Sequence, residues 1–251
     1  MILGIDTATA ATAAAVWDPD GTAAERRDDP PEGQRPAHAA RLLVLVEEVL
    51  AEAGAGWDAV ERIAVGVGPG GFTGLRLGIA TARALAQARG LPLIGVSSLA
   101  ALAAGAAHEV TSVAGEPCGP ARAAGAAHEA KSGAGAPGVP ARAARPVAAV
   151  IDARRGEVFA LVPGGEPAAL APAELAARLA PGTLAVGDGA VRFREELERA
   201  GAAVPAGDSP LHRVSALQVC RLGAGGEPSD RDSLLPDYRR EPDAKPLRLP
   251  K

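Results

Sequence analysis

The apolar and polar positions follow a strand period in some stretches and a helix period in others. Ile2 to Ile5 is an apolar run that stops at Asp6, and Thr7-Ala8-Thr9 follows as a polar turn. Ala13 to Trp17 reads as a second strand, with Asp18-Pro19-Asp20-Gly21 as a tight turn into a third. Ala37 to Ala53 carries a helical pattern that stops at Gly54. Arg62 to Val67 is a strand, Gly68 to Gly71 a glycine-rich loop, and Gly74 to Arg89 a helix ended by Gly90. Leu93 to Val96 closes the series as a strand. Meander, helix, strand, helix, strand is the layout of an α/β half-domain.

The opening pattern then returns. Val147 to Ile151 is an apolar run ending at Asp152, and the turn Ala153-Arg154-Arg155-Gly156 leads into a strand through Val158 and Leu161. Leu184-Ala185-Val186 and Gly187-Asp188-Gly189 supply a further strand and turn. Two halves that each begin strand, Asp, turn, strand predict a pseudo-duplicated architecture. Between them, residues 105–124 and 125–144 are near-copies that share GAAHE and PARAA. Two copies are too few for a stacked repeat core, and neither has an apolar period, so a flexible insert is expected. The tail from Gly223 to Lys251 is rich in Gly, Pro and charge, and is expected to be extended.

Both helices of the first half carry more than an amphipathic stripe. Leu42, Leu43, Val44, Leu45 and Val46 are consecutive, with Val49 and Leu50 following. Such a run covers nearly the whole circumference of a helix, so it is covered on two sides, by its own chain or by a partner. On the second helix Gly74, Gly78, Ala82 and Ala86 form one small-residue ridge. Gly78 in a helix interior costs about 1 kcal/mol against Ala. Close approach of another backbone offsets that cost, whether from a partner or within the subunit.

Candidate chemistry centres on Gly66-Val67-Gly68-Pro69-Gly70-Gly71-Phe72-Thr73-Gly74-Leu75-Arg76. A strand-to-helix loop of this kind can cradle phosphate on its N–H groups. Gly66, Gly68 and Gly71 meet the dinucleotide fingerprint, but that motif needs an acidic residue about 20 positions on. The next strand ends Val96-Ser97-Ser98 instead. Gly66, Gly71 and Thr73 meet the Walker spacing, but Phe72 stands where lysine must offset the phosphate charge. The remaining reading is a tight turn with close helix packing. Asp6 and Asp152 each end a strand, as nucleotide loops do in actin-like kinases, or else cap the turn that follows. No metal pair appears: His38 is followed four residues later by Leu42, His108 and His128 lie in the insert, and His212 stands alone. No motif places a His or acid beside Ser97, Ser98 or Cys220.

Composition narrows the partners. The 251 residues allow one large domain or two small ones, with 47% hydrophobic and 22% charged residues. A formal charge of -4 argues against autonomous tight RNA binding, and 2% aromatic residues leave few platforms for bases. Cys118 and Cys220 are expected as free thiols in a reducing cytosol. No run approaches the roughly 20 apolar residues of a membrane span, and no basic leader opens the chain, so a cytoplasmic protein is expected.

Several segments, in order, resemble the TsaB family, also known as YeaZ and once filed among glycoprotease homologues. They are Ile2-Leu3-Gly4-Ile5-Asp6-Thr7, the loop from Gly68 to Arg76, Gly95-Val96-Ser97-Ser98-Leu99, Val150 to Val158, and Pro236-Asp237-Tyr238-Arg239-Arg240. The resemblance implies an α/β, actin-like (ASKHA, ribonuclease H-like) fold of two pseudo-duplicated lobes. On that reading residues 1–104 are the N-terminal lobe with partner-binding helices, 105–145 the insert, and 146–251 a smaller C-terminal lobe and tail. The insert is longer than the family leads one to expect, and Ala8 and Thr9 stand where a Ser often follows Asp-Thr. The implied role is a non-catalytic scaffold in the complex that transfers threonylcarbamoyl to the adenosine 3′ of the tRNA anticodon. The implied partners are TsaD, the paralogue with the metal and the transfer chemistry, and TsaE, a small ATPase. A second copy of the chain takes the partner's place when it is alone. tRNA is reached only through the complex, and ATP and metal reside in the partners. The implied interface is Leu42, Leu45, Val46 and Val49 on the first helix, with Phe72, Thr73, Gly74, Leu75, Gly78 and Ala82 on the second. Asp6, Thr7, Gly68 and Gly70 would be a vestigial nucleotide loop. The competing reading is a nucleotide- or dinucleotide-dependent enzyme built on the glycine loop. The older protease label is a third, opposed by the missing metal pair and triad.

Overall fold

The structure, a computed structural model, describes residues 1–31, 33–112, 145–230 and 233–239. Strands β1 (Ile2–Asp6), β2 (Thr12–Trp17) and β3 (Ala23–Asp28) form an antiparallel meander, and β4 (Arg62–Gly68) and β5 (Leu93–Ser97) add to it in parallel. The sheet order is β3-β2-β1-β4-β5. The second sheet repeats the scheme. Strands β6 (Val147–Arg154), β7 (Glu157–Leu161) and β8 (Ala168–Leu170) form a meander, β9 (Leu184–Val186) pairs parallel to β6, and the order is β8-β7-β6-β9. Two sheets built on one plan give two α/β lobes, as the recurring strand-Asp-turn pattern predicts and in keeping with the actin-like fold that the resemblance implies.

Helices α1 (His38–Glu52) and α2 (Phe72–Arg89) cover one face of the first sheet. There Leu45, Val46, Val49 and Ile79 pack on Leu3, Ile5, Val16 and Ile63. Each such buried side chain contributes roughly 1.5–3 kcal/mol. Both helices end where glycine is expected to end them: Gly54 and Gly90 take φ of 62° and 66°. The amides of Ala55 and Leu91 fold back onto the carbonyls of Leu50 and Ala86 at 2.9 Å, satisfying last-turn acceptors.

Helices α3 (Ser98–Ser112) and α7 (Ala216–Ala224) fill the space between the sheets. Leu99, Leu102 and Val219 join Ala15 and Ala64 of one sheet to Ile151, Phe159 and Val186 of the other. The outer face of the second sheet is covered by α4 (Pro172–Arg178), α5 (Asp188–Arg192) and α6 (Arg194–Arg199), through Leu175, Ala190 and Leu197.

Two expected boundaries move. Residues 105–112, expected in the insert, continue α3, and Ala106 is buried in the central core. The helical face there is drawn largely in alanine (Ala101, Ala106), so it carries no strong apolar period. The rest of the duplicated blocks, with Cys118 and His128, lies outside the described residues. The C-terminal segment also does not stay with the second lobe. Gly4 and Gly223 leave room for α7 to lie directly on β1 and β4, since a Cβ at Gly223 would come 2.6 Å from that of Ala64. Beyond α7, the amides of Ser229 and Asp237 donate to the carbonyls of Leu93 and Val67, both at 2.8 Å. The chain therefore returns to the first lobe and borders its edge.

Candidate functional site

Helix α1 packs its apolar run unevenly. Leu42, Leu45, Val46 and Val49, expected at a partner interface, are all within 1% of complete burial in the chain's own core. Leu43 and Val44 are 51% and 42% exposed. Glu47 and Glu48, one turn on, mark the same outer side and could have identified it from the sequence. On α2, Gly74, Leu75, Gly78 and Ala82 are likewise buried, while Phe72, Thr73, Ala80 and Ala84 face solvent.

The small-residue ridge has its cause within the subunit. A Cβ at Gly74 would collide with the Thr7 carbonyl, and one at Gly78 with the Thr7 hydroxyl. That hydroxyl donates to the Gly74 carbonyl at 2.8 Å. The close backbone approach inferred from the glycines is therefore the β1–β2 loop against α2. It replaces the partner contact expected of these positions.

The glycine loop closes on the same neighbour. A side chain at Gly70 would strike the Ala8 carbonyl, and the Gly71 amide donates to that carbonyl at 2.7 Å. Gly68 takes φ of 104°, which only glycine adopts without strain. An amide that a bound phosphate would use is already engaged by the chain itself. Asp6 and Thr7, expected in a vestigial nucleotide loop, are buried. Asp6 accepts from the Ser98 hydroxyl at 2.6 Å and from the Ala8 amide at 2.9 Å. Gly66 packs so closely that a side chain there would overlap the carboxyl. Burial raises the Asp6 pKa above the usual carboxylate range, against the lowering effect of those hydrogen bonds and of Arg27. Asp6 is thus a pin between β1, β4 and α3 rather than a group aimed at solvent.

Between the lobes lies an open cleft of about 860 Å³, reached by Gly70, His38 and Arg76 from one side and by Asp152, Arg154 and Asp188 from the other. His38 shares a 2.9 Å hydrogen bond with Thr12, and desolvation lowers its pKa. Asp152 accepts from Arg192 at 2.7 Å and lies 3.3 Å from Arg154, so two cations engage it. Among the described residues no group of His, Cys, Asp or Glu is arranged to hold a metal ion, and no helix is long and apolar enough to cross a membrane. Burial in low dielectric raises the Cys220 thiol far above its ordinary range, leaving it protonated on the buried side of α7, against the first sheet.

One cluster escaped the sequence reading. The Arg76 guanidinium lies 3.8 Å over the Phe72 ring, and its Nε donates to the Tyr238 hydroxyl at 2.8 Å. The two rings stack with centroids 5.6 Å apart. Phe72 and Arg76 belong to the glycine-loop motif, but only the tertiary return of the C-terminal segment brings Tyr238 to them.

Residues 30–131 match the family described as "TsaD: tRNA N6-adenosine threonylcarbamoyltransferase". A 105-residue stretch is 42% identical to the Escherichia coli tRNA threonylcarbamoyladenosine biosynthesis protein TsaB, covering 42% of this chain and 43% of that one. A 113-residue stretch is 40% identical to a Cereibacter sphaeroides tRNA N6-adenosine threonylcarbamoyltransferase, covering 39% of this chain and 31% of that one. The match thus spans less than half the length of these curated relatives. Among solved structures, YeaZ from Pseudomonas aeruginosa aligns over 94% of this chain and 98% of its own, at 28% identity and a TM-score of 0.67.

Proposed function

The chain belongs to the TsaB (YeaZ) family, and from that premise we propose that it is the non-catalytic scaffold subunit of the assembly that places threonylcarbamoyl on tRNA adenosine. The observation that carries this reading is the outer face of the α1–α2 layer. Leu43 and Val44 are exposed on a helix already saturated with core contacts, and Ala80 and Ala84 present a small-residue surface on its neighbour. Exposed aliphatic residues next to small ones suit close packing of another helix pair.

The reading assigns catalysis to the partners. A TsaD paralogue covers the α1–α2 face, a TsaE ATPase joins the pair, and a second copy of the chain covers the face when the paralogue is absent. Metal and ATP belong to those partners, tRNA is modified through the complex, and the assembly works in the cytoplasm. Support comes from the internally bonded Gly71 amide and the buried Asp6 and Thr7, which also weigh against the competing nucleotide-dependent enzyme. The test is co-expression with the TsaD paralogue followed by sizing chromatography. Wild-type chain co-elutes with it, and folded Leu43→Asp and Val44→Asp do not. Folded variants that still co-elute undo the assignment of this face.

A further inference from the structure

The mouth of the interlobe cleft combines two features that composition makes unexpected. The chain has three Phe, two Trp and one Tyr, yet Phe72 and Tyr238 stand together there with 53% and 46% exposure. The formal charge is -4, yet five arginines and only three aspartates line the cleft. Asp152 is held by Arg192 and lies 3.3 Å from Arg154, and Asp237 is held by Arg239. Arg35 and the terminal amino groups of Arg76 have no acceptor among the described residues. Across the cleft, Arg154 and Arg155 occupy the tip of the β6–β7 turn with φ of 64° and 54°. Glycine or asparagine suits that left-handed conformation better, so retaining two arginines there carries a conformational cost.

An isolated exposed arginine needs no explanation. Arginines on both lips of one cleft, with two exposed rings on one lip and a guanidinium laid over a ring, do. The exposed parts of the two rings and of the guanidinium laid over Phe72 can take a flat heterocycle, and the surrounding cations can take the phosphates joined to it. A protein partner would have to bring a cluster of carboxylates to the same place. We propose that this cleft mouth is a contact site for a single-stranded segment of RNA, with Phe72, Arg76 and Tyr238 receiving a base and Arg35 and Arg154 the flanking phosphates. The site adjoins the outer α1–α2 face, since Phe72 and Arg76 stand two turns and one turn before Ala80 on α2. It rests on the scaffold reading only in that the RNA served by the complex is its natural occupant. Binding by the chain alone is weak, with a dissociation constant of roughly 10⁻⁴ to 10⁻⁶ M, the range of contacts dominated by phosphate charge.

The test uses the full chain and a fluorescein-labelled RNA stem-loop, followed by fluorescence anisotropy at low salt. The competitors are a blunt duplex of equal length and AMP. The stem-loop should bind saturably and better than the duplex. Tyr238→Ala and Arg76→Ala should each weaken it about tenfold, in the range of one lost stacking contact. Arg35→Ala, at an exposed position, should lower the log–log salt slope by about 0.7. Arg199→Ala on α6 is the control and should change nothing. Absence of saturable binding overturns the proposal, as do equal losses for Arg199→Ala or full affinity in both Tyr238→Ala and Arg35→Ala. AMP that displaces the RNA at equal nucleotide concentration overturns it in favour of a small nucleotide pocket. A failed RNA assay leaves co-elution with the paralogue, and so the scaffold reading, untouched.

Discussion

Two leucines two residues apart on α1 should respond to the same substitution in opposite ways. Leu45 is 1% exposed and packs between α2 and the sheet. Leu45→Asp removes a large apolar side chain, at roughly 2–5 kcal/mol. The carboxyl left behind must ionise without a partner or bind a proton, adding roughly 1–3 kcal/mol. The sum, about 5 kcal/mol, rivals the total stability of a domain, about 5–15 kcal/mol. Leu43 is 51% exposed, so Leu43→Asp forfeits about 1 kcal/mol of burial in the isolated chain. In a dry helix–helix interface the same carboxylate costs about 3–4 kcal/mol, a loss of association of roughly a hundredfold to a thousandfold. Urea titrations followed by circular dichroism give the first quantity, and sizing chromatography with the TsaD paralogue gives the second. Leu45→Asp should shift the unfolding midpoint strongly or fail to fold. Leu43→Asp should melt near wild type and elute alone. A well-folded Leu45→Asp would refute the packing argument, and a folded Leu43→Asp that still binds would refute the interface argument.

Gly78→Ala should destabilise the isolated chain by about 1–3 kcal/mol in a urea melt, because the added methyl meets the Thr7 hydroxyl; an unchanged midpoint would show that the loop yields. Asp6 is the pH probe. Its folded pKa is raised, so the native state holds the proton more tightly and stability falls as pH rises from the unfolded toward the folded pKa. Asp6→Asn removes the charge while its Oδ1 still accepts from the Ala8 amide and its Nδ2 donates to the Ser98 hydroxyl, which turns to accept, so it should match or exceed wild-type stability at neutral pH. The advantage should vanish in acid, and a clear loss at neutral pH would contradict the buried-carboxyl account. Replacing residues 113–144 with a short Gly-Ser linker should leave the melt nearly unchanged, since loop entropy grows slowly with length. A deletion that begins at Ala106 should destabilise the chain, because it removes the end of α3 and a buried contact.

The sheet scaffold was legible because its signals are local. Apolar runs ending at Asp6 and Asp152 mark the central strands, and Gly54 and Gly90 mark helix ends through a conformation only glycine adopts freely. The inner side of α1 was hidden by its own excess: five consecutive aliphatic residues carry no phase, and only Glu47 and Glu48 distinguish Leu43 and Val44 from Leu42 and Leu45. The meaning of Gly74 and Gly78 was hidden for a different reason. Glycine reports that a backbone approaches but not whose, and here it is the loop around Thr7 of the same chain. The Phe72–Arg76–Tyr238 cluster depends on a contact spanning 162 positions, which no local pattern encodes.

Reconstituted threonylcarbamoyl transfer to tRNA, with this chain as the sole variable among purified TsaD and TsaE partners, tests the central claim most directly. The account predicts that transfer requires the chain, that Asp6→Asn and Asp152→Asn support it as well as wild type, and that folded Leu43→Asp does not. ATP turnover or transfer by the chain alone, or loss of activity in Asp152→Asn while the complex still assembles, would contradict it.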